Sequence, residues 1–396
     1  MKPPFADQAW QFAGCPEPLI LPAEGSLAAA LQSVLPGWPV TAQPSDGAGM
    51  ARAALQADGR YRITSHYTDR PTGAIPTAGA VCALMADLML ARSGAEPGGF
   101  GLHAAAVALQ GRAIVLTGPA RAGKTTLAVR LGLEPGARYI CDDVLTITAD
   151  NQARSLAATP RLRLPLPDNA ALRALMARDC LLRDSRYAYL RMPAALPWGE
   201  ALPLGAILSY ERRGDLAPGL YALPVEAALP LLLRQALSEF DTAPAALERV
   251  HDLAQALPRA RLVCEDPEQA VALILGFVAA GMPQDLPDLP PDPAAPLVAD
   301  TLPDPQQVFV RATDAQLRQT GRTAWLWHEG HGTLWQLNPT AFAVWTLLEI
   351  PGSASDLAEV LADLTPDTPP LPVLQRDLCL CLSQLQRHGF LTAGPM

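Results

Sequence analysis

Gly118-Pro119-Ala120-Arg121-Ala122-Gly123-Lys124-Thr125 has the form G-x-x-x-x-G-K-[ST], the phosphate-binding P-loop. The flanking residues supply the setting this motif needs. Ala113-Ile114-Val115-Leu116-Thr117 is an apolar run suited to a buried strand. Thr126 to Leu133 reads as the following helix, with Leu127, Val129 and Leu131 available to pack on a sheet. Glycines let backbone N–H groups close around phosphate oxygens, and a helix N-terminus adds positive potential. Gly118, Ala120, Arg121, Ala122, Gly123, Lys124, Thr125 and Thr126 form the expected nucleotide-binding set. Within it Lys124 is expected to reach the β/γ-phosphates and the Thr125 hydroxyl to ligate Mg²⁺.

Composition sharpens that reading. Of 30 basic residues only Lys2 and Lys124 are lysines. A chain that uses arginine almost everywhere keeps lysine where a compact point charge is wanted. The net charge of −9 argues against a nucleic-acid-binding surface. The seven cysteines show no CxxC and no zinc spacing, which reads as core thiols in a reducing compartment. The N-terminus carries no signal-peptide pattern, and the longest apolar run, Ala270 to Met282, is too short to span a bilayer. The chain reads as cytoplasmic, with no membrane partner.

Four regions are expected. Residues 1–97 read as a small α/β lead-in, with helices at Ser26 to Val34 and Thr77 to Arg92 and a strand at Arg60 to Ser65. Residues 98–281 read as the nucleotide-binding unit, with strands at His103 to Leu109, Ala113 to Thr117, Arg138 to Cys141, Tyr187 to Arg191 and Leu204 to Tyr210. Its later helices are placed at Val225 to Glu239, Pro244 to Gln255 and Asp266 to Ala280. Residues 282–305 hold eight prolines and read as a stiff linker. Residues 306–396 read as a separate winged-helix-like α+β domain. Strands Ala324 to His328 and Thr333 to Leu337 flank Glu329-Gly330-His331-Gly332, a hairpin signal. Helices follow from Asn338, from Ser355 as N-cap, and from Val373 to Gln386.

Phosphoryl transfer needs a phosphate cradle, Mg²⁺ and a group that orients or deprotonates the acceptor. Asp142 and Asp143, ending the strand after the P-loop helix, are the candidates for the last task and for the metal. Adjacent strand residues point to opposite faces, so the two carboxylates divide the work. Which takes the proton and which sits on the metal side stays open.

Leu102-His103-Ala104-Ala105-Ala106-Val107, the P-loop, and Ile140-Cys141-Asp142-Asp143-Val144 together resemble the HPr kinase/phosphorylase family. They are more similar to its shorter relatives that phosphorylate lasso-peptide precursors. The resemblance implies a P-loop core akin to that of phosphoenolpyruvate carboxykinase, and transfer of phosphate from ATP with Mg²⁺ to a hydroxyl side chain. It also implies catalytic roles for Asp143, Asp142, Lys124 and His103, and metal contacts from Thr125 and Asp142. The glycine-containing signature that HPr kinases carry after the Asp pair is absent; Pro160-Arg161-Leu162-Arg163-Leu164-Pro165 and Asp184-Ser185-Arg186-Tyr187 stand there instead. HPr as substrate and phosphorylase activity are therefore not expected. Arg161, Arg163 and Arg186 are candidates for phosphate or substrate contact.

The last region resembles the PqqD-like domains, also called RiPP recognition elements. The carrying residues are Trp335-Gln336-Leu337-Asn338-Pro339-Thr340-Ala341, then Asp377 with Leu380, Leu382 and Leu385, then His388-Gly389-Phe390-Leu391. The resemblance implies capture of the leader peptide of a ribosomally made natural product as an added strand. Five arginines against eight acids in residues 306–396 disfavour DNA as the partner. The sequence thus points to an ATP-dependent peptide Ser/Thr kinase. A nucleotide-switched peptide-binding scaffold and a small-molecule kinase are the alternatives, and homo-oligomerisation is left open.

Overall fold

The computed structural model describes residues 7–237, 240, 242–290, 302–320, 323–328, 334–364 and 369–394. The chain is mixed α/β and divides into two compact units, residues 1–239 with 251–289 and residues 240–250 with 290–396.

The first unit opens with a five-stranded sheet in the order Val40–Pro44, Gln8–Phe12, Leu19–Leu21, Ala51–Leu55, Tyr61–Ser65. Helices Leu27–Val34 and Thr77–Gly94 cover it. Their buried stripes, Leu27, Leu31 and Val34 on one and Val81, Leu84 and Leu88 on the other, meet Phe12, Leu19 and Trp38 in one core. Val144, Leu156, Ala158 and Tyr189 complete that core, so the N-terminal layer is closed by residues that follow the P-loop in sequence.

The central sheet runs Phe100–Leu102, Leu145–Ile147, Gln152–Arg154, Ala201–Glu211, Arg112–Thr117, Ala105–Leu109, Arg138–Cys141. Arg259–Val263 lies parallel to Ala201–Glu211 on a side branch. The P-loop strand Arg112–Thr117 is parallel to Ala201–Glu211 and antiparallel to Ala105–Leu109. Its alternate residues Ile114 and Leu116 face Leu127, Ala128 and Leu131 of the P-loop helix, and Ile274 and Phe277 of helix Pro267–Ala279 join the same core. A small sheet, Arg161–Arg163, Tyr187–Leu190, Cys180–Arg183, carries helix Ala170–Asp179 on its inner face. Asn169 caps that helix by accepting the Leu172 N–H at 3.0 Å.

Several expected elements shift. The P-loop helix starts at Lys124, not Thr126, because Gly123 at φ 99° turns the chain into it. Helix Val225–Gln235 stops short of Glu239. The proline-rich stretch starts on the first unit, with Met282 and Leu286 against its core and the Pro287 carbonyl accepting the Ala222 N–H at 2.8 Å. Its residues 291–301 lie outside the described residues.

In the second unit, Val308–Arg311 pairs with Gly352–Ser353 and Leu391–Ala393, and Ala315–Thr320, Thr323–His328 and Trp335–Leu337 form a meander. The turn at Glu329 to Gly332 lies outside the described residues. Helices Pro339–Leu347, Ala354–Leu364 and Leu371–Arg387 close a core of Phe309, Leu326, Trp345, Leu378, Leu382 and Phe390. The N-cap of the second helix is Ser353, not Ser355. The Ser353 Oγ accepts the Asp356 N–H at 3.2 Å, and the Asp356 carboxylate accepts the Ser353 N–H at 2.8 Å. That is a reciprocal cap. Trp325 and Trp345 are core residues, whereas Trp335 is 36% exposed. Among the described residues no helix is long and apolar enough to cross a membrane.

Candidate functional site

The site forms where three neighbouring strands of the central sheet end on one edge. Ala105 pairs with Leu116 and Ala106 with Cys141. That register brings His103 before one strand, Gly118 after the next, and Asp142-Asp143 after the third to the same end.

The loop itself is shaped for an anion. Gly118 (φ 134°), Arg121 (φ 66°) and Gly123 (φ 99°) have positive φ, which turns successive N–H groups inward. A Cβ on Gly118 would stand 2.5 Å from the Tyr210 carbonyl oxygen, so only glycine fits there. Leu127 N–H donates to the Gly123 carbonyl at 2.9 Å. The N–H groups of Lys124, Thr125 and Thr126 belong to the first helical turn, which has no intrahelical acceptor for them. Lys124 is 6% exposed, and its Nζ donates to the carbonyls of Gly118 at 2.9 Å and Pro119 at 3.2 Å. Burial lowers its pKa, against an opposing pull from Asp143. Ala120 and Arg121 are exposed and Ala122 is buried. This cradle fits a nucleotide phosphate. Among the described residues no three His, Cys, Asp or Glu side chains gather as a metal cage. A Mg²⁺ held through one or two protein oxygens plus substrate phosphates needs none, and the Thr125 hydroxyl is the loop side chain that could hold it.

The two aspartates face different surroundings. Asp142 is 8% exposed. One of its oxygens accepts the Tyr139 hydroxyl at 3.0 Å and the other the Arg161 backbone N–H at 3.1 Å. Burial, then the neighbouring Asp143, raises its pKa to about 6. Asp143 is partly exposed and lies between an imidazole and a guanidinium, with His103 Nε2 at 3.7 Å and the Arg161 guanidinium at 3.6 Å. Burial lowers the His103 pKa; Asp143 opposes this, while Lys124 and Arg161 reinforce it. Arg161 also stacks over the Tyr187 ring at 5.0 Å and touches the Cys82 thiol.

Lys124, Asp143, His103 and Arg161 therefore stand together, while Asp142 is turned into the protein. Arg163 and Arg186 are exposed on the small sheet and its turn. The sequence reading missed Tyr139, which holds Asp142, and Cys82, from helix Thr77–Gly94. It also missed the Thr117 and Ser209 hydroxyls, which share a register position on the P-loop strand and its parallel neighbour. Both are buried without a hydrogen-bond partner. Thr117 directly precedes the P-loop glycine, a position the motif alone could have flagged.

Comparison with known proteins gives two findings. Residues 324–391 match the family model described as coenzyme PQQ synthesis protein D (PqqD). Among solved structures the chain is similar to the Hpr(Ser) kinase/phosphatase from Coxiella burnetii, 12% identical, covering 46% of this chain and 91% of that one, with a TM-score of 0.25. At that score the likeness assigns no chemistry. No curated protein matches the chain.

Proposed function

We propose that this chain is an ATP-dependent kinase that phosphorylates a Ser or Thr hydroxyl of a ribosomally made precursor peptide. The observation that supports it most is the meeting of a complete P-loop with a partly exposed carboxylate. Lys124 is coupled electrostatically to Asp143, which His103 and Arg161 flank.

In this reading Asp143 takes the proton of the attacking hydroxyl. Arg161 and His103 fix its carboxylate, and a lowered pKa keeps His103 neutral at pH 7, as a positioning group. Asp142 anchors the strand end through Tyr139 and Arg161, and its oxygens keep lone pairs through which it could support the metal side. Lys124 leaves the Gly118 and Pro119 carbonyls for the β/γ-phosphates, and the loop N–H groups hold phosphate oxygens. Bound Mg²⁺, held by Thr125, supplies neutralisation of phosphate charge.

The PqqD-like region, in a winged-helix-like unit, serves as the leader-peptide binder. Strands Thr323–His328 and Trp335–Leu337 and helix Leu371–Arg387 supply the groove, and tethering the captured peptide raises the local concentration of its acceptor. The test is mass spectrometry of the precursor peptide encoded beside this gene after incubation with protein, ATP and Mg²⁺, with Lys124→Ala as control. A gain of one phosphoryl group that requires Lys124 supports the reading. An unchanged mass, with both peptide and ATP bound, removes it.

A further inference from the structure

We propose that the acceptor segment of the peptide binds as an added strand along the free edge of Arg161–Arg163, which leads from Asp143 into an apolar pocket about three residues away. This rests on the kinase reading above and extends it to how the reacting segment, rather than the leader, is held.

The register defines the edge. Leu162 pairs with Ala188. The Leu190 N–H donates to the Pro160 carbonyl at 3.2 Å and the Leu164 N–H to the Arg186 carbonyl at 2.8 Å. In an antiparallel ladder hydrogen-bonded pairs alternate. Residues 160, 162 and 164 therefore spend their backbone groups on Tyr187–Leu190, and residues 161 and 163 point theirs away from it. The Arg161 N–H is taken by Asp142 at 3.1 Å. The Arg161 carbonyl and the Arg163 N–H and carbonyl are left facing outward, with Arg163 exposed. An edge of this kind is a template for another strand.

Its two ends give the occupant a chemistry. At one end the Arg161 guanidinium stands 3.6 Å from Asp143, so a peptide on this edge passes the carboxylate that takes the hydroxyl proton. At the other end the chain continues into a pocket of about 500 Å³ whose lining includes Leu164, Pro165, Leu166, Met176, Arg183 and Asp184. Three residues of extended chain span about 10 Å, so the pocket receives the side chain roughly three residues from the acceptor. Its lining is chiefly apolar, and its one acid, Asp184, is offset by Arg173 and Arg183 and accepts the Arg186 and Tyr187 N–H groups at 2.7 and 2.8 Å, so the pocket favours an apolar side chain. The edge thus selects an extended segment with a hydroxyl at one position and an apolar side chain three residues along.

The test uses the full chain and synthetic peptides covering the phosphorylated segment of the precursor, each methylated at one backbone nitrogen. Strand addition predicts a period of two: methyl groups at alternate positions raise KM about tenfold, and those between leave it within about twofold. On the protein side, Arg163→Pro, which removes an outward N–H that an edge strand tolerates losing, raises KM about tenfold. Arg163→Ala, which keeps that N–H, has a smaller effect. Phosphorylation that continues without the alternation, with the two Arg163 variants alike, overturns this inference and leaves the kinase reading standing. Absence of phosphorylation on every peptide, unmethylated included, removes the kinase reading and this inference with it.

Discussion

Asp142 and Asp143 are neighbours with opposite fates, and the difference is set by residues far away in sequence. Alternation along a strand is local, so two adjacent carboxylates could be read as facing different ways. Which one is held inside depends on Tyr139 and on the backbone of Arg161, and no local pattern carries that. Asp143→Asn is expected to lower kcat by about 10²–10⁴-fold with ATP affinity within about threefold, measured by single-turnover phosphorylation and nucleotide titration. Asp142→Asn keeps one acceptor oxygen where two donors need acceptors, and should show chiefly as lost stability. A second buried carboxylate offers a cleaner pH experiment. Asp87 is 5% exposed, one of its oxygens lacks a partner, and burial raises its pKa to about 6. Because the folded value lies above the ordinary value of 3.8, its contribution to stability is complete below about pH 4 and is lost as pH rises through about 6. Asp87→Asn should stabilise the protein by about 1–2 kcal/mol at pH 8, a gain that disappears near pH 4 in thermal melts at the two pH values.

At the scale of elements, long periodic segments were legible and short ones were not. Helices Thr77–Gly94 and Pro267–Ala279 have enough turns for their apolar residues to be read. Strands Leu19–Leu21 and Arg161–Arg163 have three residues each, too few to show a period, and Arg259–Val263 hides its buried positions between arginines. Helix Ala170–Asp179 buries only two leucines, so its stripe is weak. The caps show the same limit. Ser355 fits the pattern of an N-cap, yet the chain reverses two residues earlier, where Ser353 and Asp356 satisfy each other's backbone. Ser353→Ala should therefore cost about 1 kcal/mol and Ser355→Ala no more than about 0.5 kcal/mol. Urea unfolding followed by tryptophan emission reads this, since Trp345 lies in that core.

For the whole molecule, the sequence announced a P-loop and a PqqD-like region, because each is carried by short stretches whose residues and order can be read along the chain. It did not announce that the N-terminal sheet is closed by Val144, Leu156 and Tyr189, since that core is assembled from distant segments. The proposed division of labour has a kinetic consequence. If capture of the leader raises the local concentration of the acceptor to about the millimolar range, free leader segment lacking the acceptor should compete with the precursor. Saturating leader should raise the apparent KM by about 10²-fold and leave kcat unchanged. A fall in kcat at saturating precursor would instead mean that leader binding alters the kinase core itself.

Lys124 sits with its ammonium on two carbonyls of its own loop, in a chain whose other lysine is Lys2. Covalent amine chemistry, usually a blunt instrument, becomes selective here. A reagent that acylates lysines has two side chains to choose from, and one of them is the proposed phosphate contact. Its rate of modification reports directly whether that ammonium is tucked in, released or shielded by a bound nucleotide, so a mass shift on a single peptide can serve as an occupancy gauge for the cradle.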